Sequence, residues 1–375
     1  MSKLKLMTVL GTRPEIIRLS EVIKCADKYF DHILVHTGQN YDRTLNQVFF
    51  ENLQLREPDH YLDAVGDNLG QTMGNIIATS YELMQKVQPD AVLILGDTNS
   101  ALSAISAKRL KIPIFHMEAG NRCWDWNVSE MINRKIVDHI SDINMPYTEH
   151  SRRYLLSEGI DGKTIFVTGS PMKEVILKHK DEIEASNVLD ELGLKKDGYI
   201  LVSAHREENI DIEENFMALM NAINHMAQKY DMPVIYSTHP RSRKFIEKRG
   251  FKFDERVRSL KPFGYFDYNK LQQNAFLVLS DSGTLSEESA MLDFPAVLIR
   301  TSTERPEVLD KDSIVIGGIK TEDVEQAAEL ARSMYDNGEL IKESPDYEDE
   351  NVSVKVVKLI LSYAKIVNET VWLKR

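Results

Sequence analysis

The chain has 375 residues, 42% of them hydrophobic and 28% charged, and its formal net charge is −12. This length predicts two domains, and the acidic balance argues against a nucleic-acid partner while leaving room for a small phosphorylated ligand held by a few arginines. The two cysteines form no CxxC pair, which excludes a disulfide framework and favours a reducing cytoplasm, and no apolar run is long enough to span a membrane.

Short apolar runs alternate with longer helical patterns along the first half of the chain. The runs predict strands at Lys5–Leu10, His32–His36, Ala91–Leu95, Ile112–Met117, Asp142–Met145 and Thr164–Thr168. The patterns between them predict helices at Glu15–Tyr29, Thr44–Asn52, Leu69–Val87, Ser100–Leu110, Ser129–Ile140 and Glu149–Ser157. Continuous apolar strands separated by helices are typical of a parallel sheet covered on both faces.

The same alternation returns in the second half of the chain. It predicts strands at Tyr199–Ala204, Pro233–Thr238, Val257–Leu260, Phe276–Leu279, Ala296–Ile299 and Ser313–Ile316. It predicts helices at Met172–Leu192, Ile212–Lys229, Thr284–Leu292, Thr321–Tyr335 and Val352–Val367. The fold class predicted from both halves is α/β, with two Rossmann-like doubly wound domains at residues 1–171 and 172–351 that face a cleft. We expect the terminal segment 352–375 to pack back on the first domain.

The first strand is followed by Gly11-Thr12-Arg13-Pro14-Glu15, with Arg18 one helical turn later. Arg13 and Arg18 could hold an anion at the start of the helix, or they could be solvated residues of a capped strand-to-helix turn. The motif is not GxGxxG, which disfavours a nicotinamide cofactor.

Two later strand ends in the first half carry carboxylates. Asp97 follows the third strand, where an N-cap is the favoured explanation when the motif is taken alone. Glu118 follows the strand that contains His116, whose commoner fate is a satisfied core position. Glu130 and Arg134 are four residues apart on a predicted helix, so they share a face and could form a plain surface pair.

Strand ends in the second half carry a histidine and a hydroxyl-rich turn. His205 follows the strand at Tyr199–Ala204 and could act as a general acid or base, or lie in a capping loop. Ser282-Gly283-Thr284 could offer backbone N–H groups and hydroxyls to a phosphate, and Glu287 and Glu288 could accept from ribose hydroxyls. The alternative is a capped helix whose glutamates complement its dipole. Because ligands bind at the carboxyl ends of parallel strands, these clusters together predict a diphosphate-sugar site, with Arg13, Arg18, Ser282 and Gly283 on the phosphates.

Seven motifs run in order along almost the whole chain: GTRPE at 11–15, GDT at 96–98, H-x-EAG at 116–120, E-x-I-N-R at 130–134, HREEN at 205–209, DSG…EE at 281–288 and TERPE at 303–307. As a set they resemble the non-hydrolysing UDP-N-acetylglucosamine 2-epimerase family. The resemblance implies a glycosyltransferase B-type fold, no metal or cofactor, and inversion at C2 of a UDP-N-acetylhexosamine.

Matching the motifs one by one, the resemblance implies roles for individual residues. The catalytic acids and bases fall on Asp97, Glu118 and Glu130, with Arg134 and His205 as charged partners. The UDP contacts fall on Arg13, Ser282, Gly283, Glu288 and Arg305, and the aromatic residue that stacks on uracil falls on Tyr268. Arg18 stands where the family usually has Lys, which keeps the charge.

The departures from the family pattern point to a subgroup. Gly38–Asp42 (GQNYD) and Asn121-Arg122-Cys123 resemble enzymes that make UDP-N-acetyl-L-fucosamine from UDP-2-acetamido-2,6-dideoxy-L-talose for capsule or O-antigen. UDP-N-acetylglucosamine is the alternative substrate, and a UDP-sugar glycosyltransferase or a non-catalytic UDP-sugar sensor are alternative functions. The segment Asn121–Ser129, with Trp124 and Trp126, is where we expect substrates to be distinguished. The resemblance also implies a homodimer.

Overall fold

A computed structural model describes residues 3–38, 43–123, 126, 128, 130–300, 303, 305–310, 314–339 and 345–374. Some features singled out in the sequence lie outside these residues, namely Gln39–Asp42, Trp124, Ser129, Glu304 and Ser313. The chain divides into two compact units, the first formed by Met1–Lys178 with Asp346–Arg375 and the second by His179–Pro345.

The first unit is an α/β sandwich built around one parallel sheet. Its strands are β1 (Lys5–Leu10), β2 (Asp31–His36), β3 (His60–Tyr61), β4 (Ala91–Leu95), β5 (Ile114–Met117) and β6 (Ile143–Met145). Its helices up to Lys178 are α1 (Arg13–Tyr29), α2 (Arg43–Asn52), α3 (Leu69–Val87), α4 (Ser103–Arg109), α5 (Glu130–Ile140), α6 (Glu149–Ser157) and α7 (Met172–Lys178). Short 3₁₀ turns lie at Asn99–Leu102 and Gly162–Thr164.

The strand order of this sheet is β3-β2-β1-β4-β5-β6, with all pairs parallel. The central strands are apolar on both faces because helices cover both, and Met7, Val9, Val92 and Ile94 are all buried in one core cluster. The connections from β1 and β4 leave in opposite directions, so a crevice opens between their carboxyl ends. Residues that follow β1 and β4 are therefore placed at the point of the sheet where ligands bind.

The second unit repeats the plan of the first. Its strands are β7 (Ile200–Ser203), β8 (Val234–Ser237), β9 (Val257–Leu260), β10 (Leu277–Ser280), β11 (Ala296–Leu298) and β12 (Val315–Ile316). Its helices are α8 (Lys180–Glu184), α9 (Val188–Leu192), α10 (Glu207–Ile210), α11 (Glu213–Tyr230), α12 (Pro240–Arg249), α13 (Tyr265–Asn274), α14 (Leu285–Leu292), α15 (Pro306–Asp310) and α16 (Thr321–Asp336). The strand order is β12-β11-β10-β7-β8-β9, which is the same winding, with β7 and β10 at its switch point.

The last helix, α17 (Val352–Thr370), belongs to the first unit and packs against α1. The backbone N–H and hydroxyl of Ser353 both donate to the buried carboxylate of Glu174, at 2.8 and 2.5 Å. The apolar side chains of Val356, Ile360 and Ala364 are buried along one face of the helix. This pairing fixes the beginning of α17 against α7.

The two six-stranded parallel sheets confirm the predicted α/β class, and two predicted elements are wrong. Thr164–Thr168 is not a regular strand: Thr164 and Ile165 donate their N–H groups within a 3₁₀ turn, and the rest of the segment pairs with the chain at β6 through an isolated bridge and two N–H bonds, from Phe166 and Thr168. Met172–Leu192 is not one helix but α7, α8 and α9, since the chain leaves helical geometry at His179 and Asn187. No helix in the described part of the chain is both long and apolar enough to cross a membrane.

Candidate active site

The turn between β1 and α1 is built around a buried carboxylate, Glu15. Its Oε2 accepts hydrogen bonds from the Gly11 backbone N–H at 3.0 Å and the Thr12 hydroxyl at 2.7 Å, and the Ser100 hydroxyl donates to Oε1. Burial raises the pKa of Glu15 to about 7, although these hydrogen bonds oppose the rise. Glu15 therefore ties the turn after β1 to the loop after β4.

Arg18 lies one turn further along α1, and its guanidinium donates to Oε2 of Glu118. Both side chains are mostly buried, with exposures of 12% and 9%. The other oxygen of Glu118 faces the Asn121 amide at 3.3 Å, and the Ser151 hydroxyl donates to Asn121 at 3.0 Å. Arg18, predicted from the sequence as a phosphate contact, is thus an ion-pair partner of a predicted catalytic carboxylate.

The backbone at Glu118 lies in the left-handed region, with φ of +61°. A residue with a β-carbon reaches this region only when its surroundings hold it there, and such strain is typical of functional sites. Gly96 approaches closely, since a β-carbon at that position would lie 3.2 Å from Oε2 of Glu118. The carboxylate therefore sits directly beside the carboxyl end of β4.

Asp97 follows Gly96 and pairs with Arg134 across the crevice of the first unit. Nε of Arg134 lies 2.5 Å from Oδ2 of Asp97, and the Asn133 amide donates to the Asp97 carbonyl at 2.9 Å. Helix α5 begins at Glu130, so Glu130 and Arg134 occupy its first two turns. The E-x-I-N-R motif thereby places two of its members, Asn133 and Arg134, on the predicted catalytic residue Asp97.

A buried ionic cluster lies beneath the Glu118 loop. His116 faces the Gly96 carbonyl through Nε2 at 2.8 Å and Asp138 through Nδ1 at 3.0 Å. Both neighbours are hydrogen-bond acceptors, so the ring is best satisfied as imidazolium; burial opposes this, but Asp138 outweighs it and raises the pKa of His116. Arg122 completes the cluster by pairing with Asp138 at 2.8 Å and Glu158 at 2.7 Å. His116 is a core histidine that supports both loops.

In the second unit, the turn between β10 and α14 is shaped by hydroxyls and one carboxylate. Oγ of Ser282 lies 3.0 Å from the Thr284 hydroxyl, which donates to Glu288 at 2.8 Å. The Gln272 amide donates to the other oxygen of Glu288 at 2.7 Å. Gly283 lies within this turn, directly before the start of α14, where backbone N–H groups favour a phosphate.

Arg305 and Tyr268, both predicted to contact UDP, are largely enclosed. The guanidinium of Arg305 pairs with Glu287, and both side chains are buried. Tyr268 lies on α13, and its hydroxyl interacts with Ser203 and Ser280 at the ends of β7 and β10. Burial and the charge of Glu288 raise the pKa of Tyr268.

His205 follows β7, and Asp281 follows β10, on the neighbouring strand. Oδ2 of Asp281 accepts from the backbone N–H groups of His205 and Arg206, both at 2.9 Å. Nδ1 of His205 lies 3.3 Å from Oδ1 of Asp281, and the histidine side chain is 43% exposed. The structure thus joins the His205–Asn209 loop and the Ser282–Thr284 turn through one buried carboxylate.

Arg13 begins α1 and lies with its guanidinium 5.9 Å from the centre of the Phe49 ring. Cys123 lies 3.9 Å from the Arg134 guanidinium, and Trp126 is 66% exposed. Within the described residues, no group of three His, Cys, Asp or Glu side chains could hold a metal ion.

Sequence reasoning gave no structural role to Glu15 or Asp281 and treated Asn121 only as part of the segment that distinguishes substrates, although all three organise the loops that carry predicted site residues. The signal that could have identified Asp281 is a carboxylate directly after an apolar strand, whereas Glu15 lies in the first turn of α1. A buried carboxylate at such a position must find several donors, and the nearest donors are the backbone N–H groups of adjacent loops. Asn121 carried no comparable signal.

Comparisons with known proteins add to this geometry. A family model described as UDP-N-acetylglucosamine 2-epimerase matches residues 24–361. A solved structure of UDP-N-acetylglucosamine 2-epimerase from Rickettsia bellii is 46% identical, covers 99% of this chain and 100% of that one, and has a TM-score of 0.91. The Methanocaldococcus jannaschii enzyme in complex with UDP-GlcNAc and UDP is 32% identical, with 96% and 100% covered and a TM-score of 0.89.

A further relative carries a different sugar name. The UDP-2,3-diacetamido-2,3-dideoxy-D-glucuronate 2-epimerase of Pseudomonas aeruginosa is 34% identical over 345 residues, which is 90% of this chain and 95% of that protein. Two parallel sheets of the same winding and the similarity to solved structures identify the fold as glycosyltransferase B-like.

Proposed function

Since the chain belongs to the UDP-N-acetylglucosamine 2-epimerase family and is a non-hydrolysing UDP-N-acetylhexosamine 2-epimerase, we propose that its substrate is UDP-N-acetylglucosamine. The product is then UDP-N-acetylmannosamine, the C2 epimer. The single observation that carries the proposal is the pair of strand-end carboxylates in the first unit, each matched to an arginine: Asp97 with Arg134 and Glu118 with Arg18.

The reaction requires an indirect route to the C2 proton. That proton is not next to a carbonyl group, so its direct removal is very unfavourable. If a base removes the proton while the anomeric C–O bond breaks, the products are a glycal and UDP, and the electron pair of the C–H bond forms the C1–C2 double bond. Re-addition of UDP to C1 with protonation of C2 from the opposite face gives the epimer, and every atom is conserved.

Removal of a proton from one face of C2 and its return to the other face need at least two acid/base groups. In this proposal the first unit supplies them from among Asp97, Glu118 and Glu130. Each of two of these carboxylates is held by a guanidinium, Glu118 by Arg18 and Asp97 by Arg134, so their positions are fixed. The Asp97 side chain is 20% exposed and that of Glu118 is 9% exposed, which leaves each a route to a ligand. The proposal does not assign which carboxylate removes the proton.

The second unit supports the binding of the leaving UDP. The Ser282–Thr284 turn at the beginning of α14 offers hydroxyls and backbone N–H groups to a diphosphate. Developing negative charge on the leaving oxygen is stabilised by such fixed dipoles, and these dipoles need no rearrangement during the reaction. Tyr268, Glu288 and Arg305 are proposed to surround the nucleoside part of UDP, and His205 the sugar.

UDP-2-acetamido-2,6-dideoxy-L-talose is the second candidate substrate. Its support is the replacement of the usual family pattern by Asn121-Arg122-Cys123, in which the Asn121 amide contacts Glu118 itself. The similar proteins described above favour UDP-N-acetylglucosamine, because several of their names include that sugar nucleotide. The L-fucosamine expectation therefore ranks second.

A substrate panel tests the proposal. The protein is incubated separately with UDP-N-acetylglucosamine, the 6-deoxy-L-talose nucleotide and UDP-2,3-diacetamido-2,3-dideoxy-D-glucuronate, and products are followed by proton NMR. We expect the highest kcat/KM with UDP-N-acetylglucosamine and an equilibrium mixture of two UDP-sugars. A higher kcat/KM with either of the other nucleotides would replace the proposed substrate, and release of free N-acetylmannosamine with UDP would indicate a hydrolysing enzyme.

A further inference from the structure

Asp281 is a fully buried carboxylate at the centre of the second sheet's ligand-binding edge. It follows β10 directly and is 0% exposed. A buried carboxylate is costly unless donors satisfy both of its oxygens. The hydrogen-bond donors around each oxygen of Asp281 therefore indicate the protonation of the groups that face it.

Oδ2 of Asp281 is well satisfied. It accepts from the backbone N–H groups of His205 and Arg206 at 2.9 Å and from the Asn209 amide at 3.2 Å. Nε of Arg206 also donates to the Asp281 backbone carbonyl at 3.0 Å. These bonds fix the beginning of the His205–Asn209 loop to the residue that precedes the phosphate turn.

Oδ1 of Asp281 differs from Oδ2 in its hydrogen bonding. It is buried and accepts no regular hydrogen bond from the described residues, and the group facing it is Nδ1 of His205 at 3.3 Å. If Nδ1 carried a lone pair, that lone pair would face the carboxylate oxygen and leave it without a donor. A proton on Nδ1 removes the repulsion and supplies the donor that the buried oxygen requires.

We propose that Asp281 is a positioning residue that keeps the proton of the neutral His205 ring on Nδ1, so that Nε2 is the nitrogen that acts on the substrate. This inference rests on the proposed function, in which His205 contacts the sugar nucleotide. An aspartate that binds the far nitrogen of a catalytic histidine sets both the orientation and the tautomer of the ring.

The position of Asp281 in the chain extends this role. Asp281 is followed directly by Ser282 and Gly283, so a shift of its backbone moves the phosphate turn as well. One residue thereby sets the histidine ring through its side chain and the diphosphate turn through its backbone. Substitutions that keep the shape of the side chain separate the two effects, because they leave the backbone in place.

The tautomer can be read directly from the unsubstituted protein. The full chain is labelled with ¹⁵N in the histidine rings, and the His205 signals are identified by their loss in His205→Gln. We expect the two-bond and three-bond correlations of the neutral ring to identify protonated Nδ1 and unprotonated Nε2. Observation of the Nε2–H tautomer in the wild-type protein would overturn the proposal, whatever the behaviour of any variant.

Asp281→Asn tests the consequence for turnover. If the Asn amide donates to Nδ1, it moves the proton to Nε2 with little change of shape. We expect kcat to fall by about 100-fold or more, the size typical of a general acid/base group, while the KM for the sugar nucleotide changes less than about threefold. The His205 ring should shift to the Nε2–H tautomer in the same sample. Unchanged tautomer with kcat within about threefold of wild type would contradict the proposal.

Asp142→Asn is the matched control. Asp142, like Asp281, is a buried carboxylate. It lies between α5 and β6, away from the candidate site, and accepts hydrogen bonds from the Ile114 backbone N–H at 2.9 Å and from Lys108 at 2.6 Å. Its loss should lower thermal stability and leave kcat and the His205 tautomer unchanged. An equal loss of kcat in both variants would mean that Asp281 acts only through stability. Because the tautomer is measured without substrate, failure of the proposed epimerase reaction is a separate outcome.

Discussion

The two units share one strand order and place polar residues at equivalent strand ends, but they use their carboxylates differently. In the first unit, the side chains of Asp97 and Glu118 are 20% and 9% exposed, and each pairs with an arginine. In the second unit, Asp281 and Glu287 are fully buried, and their oxygens face partners within the unit itself. The carboxyl edges of two sheets with the same strand order therefore differ in how their carboxylates are exposed and paired.

The difference follows from what each ligand group needs. Proton transfer needs a carboxylate that can reach a ligand, and in our proposal Asp97 and Glu118 of the first unit serve this purpose, each held by a guanidinium group. A diphosphate needs backbone N–H groups and hydroxyls, so the second unit uses its acids to hold a turn in place. Substitutions in the first unit should therefore change turnover, and substitutions in the second unit's turn should change nucleotide affinity.

The largest effect is expected for Glu118→Gln. The amide cannot take a proton, so we expect kcat to fall by about 10³-fold, within the range of lost general acid/base catalysis. The affinity for UDP, measured by calorimetry, should change less than about twofold. Glu149→Gln, at an exposed position of the first unit, is the control and should match wild type. Full activity of Glu118→Gln would remove Glu118 from the mechanism.

Arg18→Met should have the next largest effect, and it distinguishes two roles for this residue. Loss of a charge-assisted hydrogen bond to Glu118 is expected to lower kcat by about 10-fold to 100-fold, while the Kd for UDP stays within about twofold. Arg18→Lys should fall between the two. If Arg18→Met instead weakens UDP binding about tenfold with kcat retained, Arg18 is a phosphate contact, as the sequence alone suggests.

Ser282→Ala tests the second unit. Removal of the hydroxyl takes a hydrogen-bond partner from Thr284 and, in our account, from the diphosphate, so the Kd for UDP should rise about tenfold. The kcat at saturating substrate should fall less than about threefold. The control is Ser289→Ala on α14, the helix that follows the turn. This variant loses an internal hydrogen bond to the Phe294 carbonyl and should leave UDP binding unchanged. A loss of kcat in Ser282→Ala with unchanged UDP affinity would contradict the proposal that this turn binds the diphosphate.

The smallest effect is expected for Glu15→Gln, which tests a buried acid of the first unit whose carboxylate holds a turn in place. The folded protein raises the pKa of Glu15 from 4.5 to about 7, so between these pH values the folded state keeps a proton that the unfolded chain releases. Stability from this group therefore falls as the pH rises through that window. The melting temperature of the variant relative to wild type should increase by several degrees from pH 5 to pH 8. An identical difference at both pH values would contradict the assignment.

The strand pattern was sufficient to predict the winding of both sheets because apolar runs such as Ala91–Leu95 are buried on both faces. The same criterion failed at Thr164–Thr168, where a 3₁₀ turn takes the N–H groups of the first two residues and leaves a segment too short for a regular strand. It also missed α12 and α13, whose sequences are too polar to show a clear apolar stripe. Local turns and polar surface helices are decided by contacts that are remote in sequence.

The candidate site shows the same limit at the level of side chains. Motif matching identified Asp97, Glu118 and Arg134, but it could not show that Arg18 reaches Glu118, 100 residues away in the chain. Nor could it show that Asp281 binds His205, because that pairing depends on β7 and β10 being neighbours in the sheet. The identity of a residue can be read from a motif, whereas its partner is fixed only by the fold.

Hydrogen exchange at C2 tests the central claim most directly. The protein is incubated with UDP-N-acetylglucosamine in deuterated water, and C2 of both epimers is followed by NMR while free UDP is quantified. We predict deuterium at C2 of both UDP-sugars, conservation of total UDP-sugar, and no incorporation with Glu118→Gln. Interconversion of the epimers with the original proton kept at C2, or stoichiometric accumulation of UDP and free sugar, would contradict the account.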